Sequence, residues 1–397
     1  MKSIAKNFVQ LFFLLGIIFI PLQLYLLPGQ SQWANWVFDG IITFLAAAFG
    51  MKLSVLTVSS DSTSLYLLML ILVFVAFAFS ILLHCWSWWR KHQSQITAHL
   101  NTLFSFYLVF RLFSYGLDKV FKSQFYLPEP NLLYTPLGQL SKDILYWSTI
   151  GSSYSYNLVV GSFECLAGLL LLFRKTRNLG LVLALLAFGQ IVLINFSFDI
   201  SVKVLSTFLF TLTLYLVTPF FIRISRLLKN RIQENPDPGI QTGKTVRVAL
   251  LTFLIGFVGI EVIYRQYNSQ GFNDDYSRRP YLHGAYVLQS PAGLPFLLNT
   301  NPVKRFFVHR SGYMIFQHTD AQLQDLGLRV DSIGNKLWLT DYDGKTIPIS
   351  FSYNPQDSVL TLQTISADSS KTIIGKAQNW KKLPLLKNDF HWTVDGI

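Results

Sequence analysis

The residues with chemistry to offer lie inside or beside apolar runs. Arg111 stands within one such run, Glu164 near the middle of another, and Asp199 and Lys203 close a third at a spacing of four. A charge at the centre of a membrane helix costs roughly 2.5 to 3.5 kcal/mol on insertion scales, so each of these groups needs a partner or a use. Arg111, Tyr115, Asp118 and Lys119 follow i, i+4, i+7 and i+8, a spacing that puts a guanidinium, a phenol, a carboxylate and an ammonium on one helical stripe. Asp199 and Lys203 share a helix face, and Asn195 lies one turn before them. Such a set could line a polar cavity that binds a polar or redox-active headgroup and moves protons through Glu164, Tyr115 and Asp199. The plainer reading is structural, with Arg111 and Glu164 locking two helices together and Asp199 and Lys203 satisfying helix ends. Counting about 1.5 Å per residue places Arg111 and Glu164 at one depth, roughly 12 to 14 Å below a membrane surface, so an ion pair between them is geometrically permitted.

The elements that must position these groups are membrane helices. Of 397 residues 51% are hydrophobic and 14% charged, and the apolar residues are bunched before Arg265. Clear spans are predicted at Asn7–Leu27, Ser64–Trp86, Leu100–Asp118, Ser155–Phe173, Leu179–Asn195, Val204–Ile222 and Val248–Tyr264. The stretch Ile41–Val58, broken by Gly50 and Lys52, reads as re-entrant, interfacial or a poor span. A long connection carrying LPEP at Leu127–Pro130 and an amphipathic piece at Leu137–Thr149 separates the third span from the fourth. The prolines and glycine of Asn235–Gly239 break the chain before the last span.

The net charge is +12, and nineteen of the 33 basic residues precede Arg265. Thirteen of them fall in short loops at Lys2/Lys6, Arg90/Lys91, Arg174–Arg177 and Arg223–Arg247, where they orient helices and do not imply nucleic acid. With seven spans these loops share one side, the cytoplasm, and the polar C-terminal part lies outside.

That part has period two from about Tyr281, with strands predicted at 304–309, 312–318, 326–330, 336–340, 346–353, 358–364 and 371–377. Turn chemistry at Ser311-Gly312, Gly334-Asn335, Asp343-Gly344, Asn354-Pro355 and Asp368–Ser370 separates them. The expected fold is a membrane all-α helical bundle of about seven transmembrane helices followed by a small antiparallel β-barrel or sandwich, with a filled core favoured over a hollow one. The expected domains are 1–99, N-terminal transmembrane helices; 100–223, a four-helix core; 224–264, a basic loop and last span; and 265–397, the β domain.

Other residues carry less. Gly161 and Gly168 flank Glu164 and let a neighbouring helix approach. His84 with Cys85 finds no further ligands at useful spacing, and Cys85 and Cys165 suggest neither disulfide nor metal. Glu261 and Arg265 can snorkel outward from the last span, and Trp392 beside His391 can plug the barrel. No P-loop, dinucleotide fingerprint, HExxH or nucleophile elbow occurs, and no reaction follows from these residues alone.

The block Arg111–Leu216 resembles the DoxX-like membrane proteins. Its matching parts are Arg111, the run Tyr115-Gly116-Leu117-Asp118-Lys119, the run Gly161-Ser162-Phe163-Glu164, the basic hairpin Arg174–Arg177, and Asn195-Phe196-Ser197-Phe198-Asp199-Ile200-Ser201-Val202-Lys203. The C-terminal part, opening at Leu282-His283-Gly284 and ending at Phe390-His391-Trp392, is similar to the lipocalin-like tail of some DoxX-like proteins. The resemblance implies a DoxX-like four-helix core in a bacterial inner membrane with the β domain periplasmic. It also implies quinone or small-amphiphile binding in an accessory redox role, beside a redox partner subunit or envelope protein. No cofactor other than quinone is suggested. The alternative is a non-enzymatic envelope protein whose β domain binds a lipid or protein partner.

Overall fold

A computed structural model describes residues 2–22, 29–53, 58–229, 244–268, 272–294, 296–364, 372–387 and 393. The end of the first expected span, the Asn235–Gly239 break, the Asp368–Ser370 turn and the Phe390-His391-Trp392 ending lie outside these residues. The helices are α1 (Lys2–Phe19), α2 (Gln30–Ala48), α3 (Thr63–Cys85), α4 (Ser87–Val120), α5 (Pro130–Leu133), α6 (Lys142–Gly151), α7 (Tyr154–Leu172), α8 (Arg177–Ser197), α9 (Lys203–Leu228) and α10 (Lys244–Val258). A π turn, Gly259–Tyr264, and α11 (Arg265–Asn268) continue α10. Packing divides the chain into Met1–Gln124 with Asn157–Phe272, and Phe125–Tyr156 with Asn273–Ile397.

Among the described residues six helices are long and apolar enough to cross a membrane: α3, α4, α7, α8, α9 and the element Val248–Asn268. The first expected span begins as α1, an apolar helix that stops short at Phe19. Pro21 forbids its continuation. Gln30 covers the freed backbone, accepting from the Leu22 amide at 2.9 Å and donating to the Ile18 carbonyl at 3.1 Å. The doubtful stretch from Ile41 is the second half of α2, which ends before Gly50 in a left-handed conformation, φ +64°. The helical unit is centred on Phe13, Phe104, Leu108, Phe188, Phe208 and Leu212, all buried.

One crossing sets the register of the candidate residues. A Cβ on Gly116 would stand 2.7 Å from the Gly161 carbonyl oxygen, and one on Gly161 would stand 2.5 Å from that of Gly116. Helices α4 and α7 therefore touch backbone to backbone, as small residues allow in membrane helices. A larger side chain at either position would overpack the crossing.

In the second unit eight strands form a closed antiparallel barrel in which each strand pairs with its neighbours in sequence and β1 pairs with β8. They are β1 (Gly284–Ala292), β2 (Val303–His309), β3 (Tyr313–His318), β4 (Leu323–Asp331), β5 (Lys336–Thr340), β6 (Thr346–Asn354), β7 (Val359–Thr364) and β8 (Thr372–Gln378). Alternate side chains fill the interior: Leu337, Leu339, Ile349, Leu360 and Leu362 are fully buried, and Tyr286 stacks on Phe306 at 5.0 Å. Between the open alternatives of barrel and sandwich, closure by β1 decides for the barrel. That strand escapes sequence reading because Pro291 interrupts it and its register with β2 shifts between Val287 and Ala292. The outer face of β1–β3 is also apolar, with Ala285, Phe307 and Ile315 covered by Tyr134.

Candidate functional site

Each expected site residue can now be placed. Glu164 (2% exposed) pairs with Lys119 (5%), Nζ to Oε2 at 2.9 Å, and not with Arg111. Lys119 lies three residues beyond Gly116 and Glu164 three beyond Gly161, so the glycine crossing presents the two side chains to each other. Asp199 and Lys203 form the expected i, i+4 pair at 2.7 Å, but Asp199 is largely exposed. An exposed pair of this kind is worth about 0.5 kcal/mol or less. Asn195 is buried and donates to the Val202 carbonyl at 3.5 Å, closing the turn into α9. Asp61 caps that helix from a distance, accepting from the amides of Lys203 at 2.7 Å and Val204 at 3.0 Å.

Arg111, Tyr115 and Asp118 do line a polar cavity of about 400 Å³. Lys119, Glu164, Asn195, Asp199 and Lys203 are not among its walls. They are replaced by Asp61, Ser114, Glu261 and Arg265, which spacing alone could not assemble. Glu261 and Arg265 do not both snorkel outward: Glu261 is buried in the π turn, and Arg265 pairs with Asp118. A π turn carries an extra residue per turn and so re-aims the side chains after it, and such turns are frequent at functional sites.

Arg111 is the unusual member. It is 6% exposed, its Nε has no hydrogen-bond partner, and no carboxylate pairs with it among the described residues. Its guanidinium lies over the Tyr115 ring, 4.3 Å from the centroid, with Phe110 at 5.9 Å. Aromatic faces stabilise a cation without neutralising it. The cavity thus offers a fixed positive donor, a phenol and three carboxylates, enough to bind a hydrogen-bond-accepting headgroup and to exchange protons with it.

The barrel unit has its own buried cluster, which sequence reading did not assemble. Glu129, the residue before α5, accepts from Arg310 and meets His283 Nε2 at 2.8 Å. Asp274 pairs with Arg310 at 2.7 Å and Arg279 at 3.0 Å, and accepts from the Leu127 amide at 2.7 Å. Arg310 therefore ties the segment after Phe125 to the barrel, and the Gln317 side chain adds a bond to the Tyr134 carbonyl at 3.0 Å. Burial raises the Glu129 carboxyl, but the hydrogen bond from His283 and the charge of Arg310 outweigh it and hold it below its ordinary value. Asp274 is likewise held low: burial raises it, and hydrogen bonds from Arg310 and Arg279 overcome that. His309, 3.8 Å from Glu129, is depressed by burial despite the Glu129 charge.

The fold and cavity define a membrane protein that joins a helical unit to a β domain. No family model matches the chain, and no solved structure matches it. Over 131 residues the chain is 38% identical to the uncharacterized protein YwoB of Bacillus subtilis (strain 168), a match covering 31% of this chain and 77% of that protein. The chain belongs to the family of YwoB.

Two outcomes are expected. Glu164→Gln should lose about 3 to 5 kcal/mol, because it removes the carboxylate paired with the buried Lys119 ammonium, while the double change Lys119→Met with Glu164→Leu should recover most of that loss. Thermal unfolding in detergent measures both, and a Glu164→Gln protein as stable as wild type would rule out a structural pair. In the barrel unit, carboxyls with depressed folded pKa values contribute stability that is fully present above about pH 4.3 and lost as pH falls further. His309, also depressed, adds a loss that begins as pH falls below about 6.5, since the unfolded state binds its proton more readily. Acid titration of barrel fluorescence should show both steps, and Glu129→Gln should shrink the lower one while leaving the share of Asp274.

Proposed function

We propose that the helical unit binds a small amphipathic molecule, its headgroup held under Arg111 and Tyr115 in the polar cavity. The observation that carries this is the buried Arg111, whose Nε lacks a partner while other charges on the cavity wall are engaged. Within that class we favour a quinone, whose carbonyl oxygens would accept from Arg111 and exchange protons with Asp118 or Glu261, in a role accessory to envelope redox chemistry. The support for quinone is the DoxX-like resemblance of Arg111–Leu216. A filled barrel interior leaves the alternative, a β domain that binds a protein or lipid, with the outer surface for its site.

The reading predicts that protein purified in mild detergent carries a stoichiometric small amphiphile, found by extraction and mass spectrometry. Arg111→Gln should lose it at least tenfold while its melting temperature stays within a few degrees. Equal ligand in both proteins, or bulk lipid alone in both, would reject the reading and send the search to the β domain.

We also propose a bacterial inner-membrane location with the β domain on the periplasmic side, supported by the basic loops. In spheroplasts, added protease should remove a tag placed after Ile397 and spare one placed after Leu228. The opposite pattern would reverse the orientation.

A further inference from the structure

The polar cavity has an apolar neighbour. A second space of about 570 Å³ is walled by Ile17, Ile18, Tyr107, Phe110, Leu254 and Phe257, among others, from α1, α4 and α10. Leu22 belongs to both walls. Each of the three elements passes from one cavity to the other within about two turns. On α4 the step is Tyr107 to Arg111, on α10 and the π turn Phe257 to Glu261, and after α1 Ile18 to Ile20. One turn rises about 5.4 Å, so the two spaces are adjacent along all three. At their junction two buried polar atoms lack partners, the Tyr107 hydroxyl and Arg111 Nε. A wall that changes from largely apolar to charged within such a distance, with unsatisfied donors at the change, matches the boundary between tail and head of one molecule.

Resting on the binding reading above, we propose that the two cavities hold a single ligand, a hydrogen-bond-accepting head at Arg111 carrying one linear hydrocarbon tail that fills the space between α1, α4 and α10. At about 570 Å³ the apolar space is of a size that takes a hydrocarbon tail. Two sources share this chemistry, an isoprenoid tail on a quinone and an acyl tail on a carboxylate. Both heads accept from Arg111 and from the Tyr107 hydroxyl, and neither demands a second tail.

The test uses the full chain in phosphatidylcholine nanodiscs with two probes, a fatty acid and an isoprenoid quinone, each bearing a diazirine at the tail end. Labelled peptides should come from 103–110 and 250–257, and the probe that labels identifies the tail. Labelling should fall at least tenfold in Arg111→Gln and in Leu103→Trp, a change at a partly exposed wall position that fills the cavity without disturbing the core. Labelling that persists unchanged in Arg111→Gln would overturn the inference, since the apolar space would then be taking bilayer chains independently of the head site. A short tailless quinone or carboxylate provides the separation from the underlying reading. If it binds in an Arg111-dependent way while neither tail labels these peptides, the head site stands and the tail site falls. If nothing binds, both fall.

Discussion

The buried contact between Lys119 and Glu164 depends on the absence of side chains at Gly116 and Gly161, and the rest of the helical unit follows from that approach. Two helices held backbone to backbone cannot rotate independently. The crossing fixes which side of α4 faces α7, with Leu112, Gly116 and Lys119 on it, and Leu112 Cβ lies 3.3 Å from where a side chain on Gly168 would begin. The adjoining side of α4, carrying Tyr107, Arg111, Ser114 and Asp118, is thereby turned to the cavities. An ion pair at this depth is weak as a source of net stability, because desolvation consumes most of the Coulomb gain. Its worth lies in specifying one rotation of α4 over others.

This division of α4 explains how far the site was legible in the sequence. Arg111, Tyr115, Asp118 and Lys119 form a stripe by spacing, yet at about 100° per residue Lys119 lies roughly 80° around the helix from Arg111, while Asp118 lies within about 20° of it. A stripe that broad can serve two neighbours. The spacing identified the polar groups, but only the glycine crossing could say that Lys119 turns to α7 and takes Glu164 from the partner that depth counting had permitted. Glu261 was hidden for a related reason. A regular helix would carry it outward with its neighbours, and a π turn leaves no signature in residue type.

In the barrel unit local information was sufficient where structure is local. The turns announced by Gly312, Asn335 and Gly344 each place a residue at positive φ, at 77°, 51° and 84°, and the strands they join carry the expected alternation. Information failed where partners are distant. Glu129 and Arg310 are separated by 181 residues, and nothing around LPEP or in the turn after β2 hints that they meet. The same limit applies to β1, whose strand character resides in its pairing with β8 more than in its own composition.

The contrast between satisfied and unsatisfied charge is what distinguishes a framework from a site here. Arg279 and Arg305 also leave Nε without a partner, but their terminal nitrogens bond Asp274 and Gln317, so each cation is still held by an acceptor. Lys119 has Glu164, Arg265 has Asp118, and Arg310 has both Glu129 and Asp274. Arg111 has two ring faces, a hydrogen bond with the Tyr115 side chain and the more distant charge of Asp118 instead. A guanidinium kept only for packing could be exchanged for an apolar side chain of similar volume with little loss, since it contributes no direct ion pair and its desolvation is offset only by ring faces, Tyr115 and the more distant Asp118. Retaining a cation under those terms makes physical sense when something else supplies the acceptor. The cavity in front of it, with carboxylates on its wall and an apolar space one turn away, defines what that acceptor must look like.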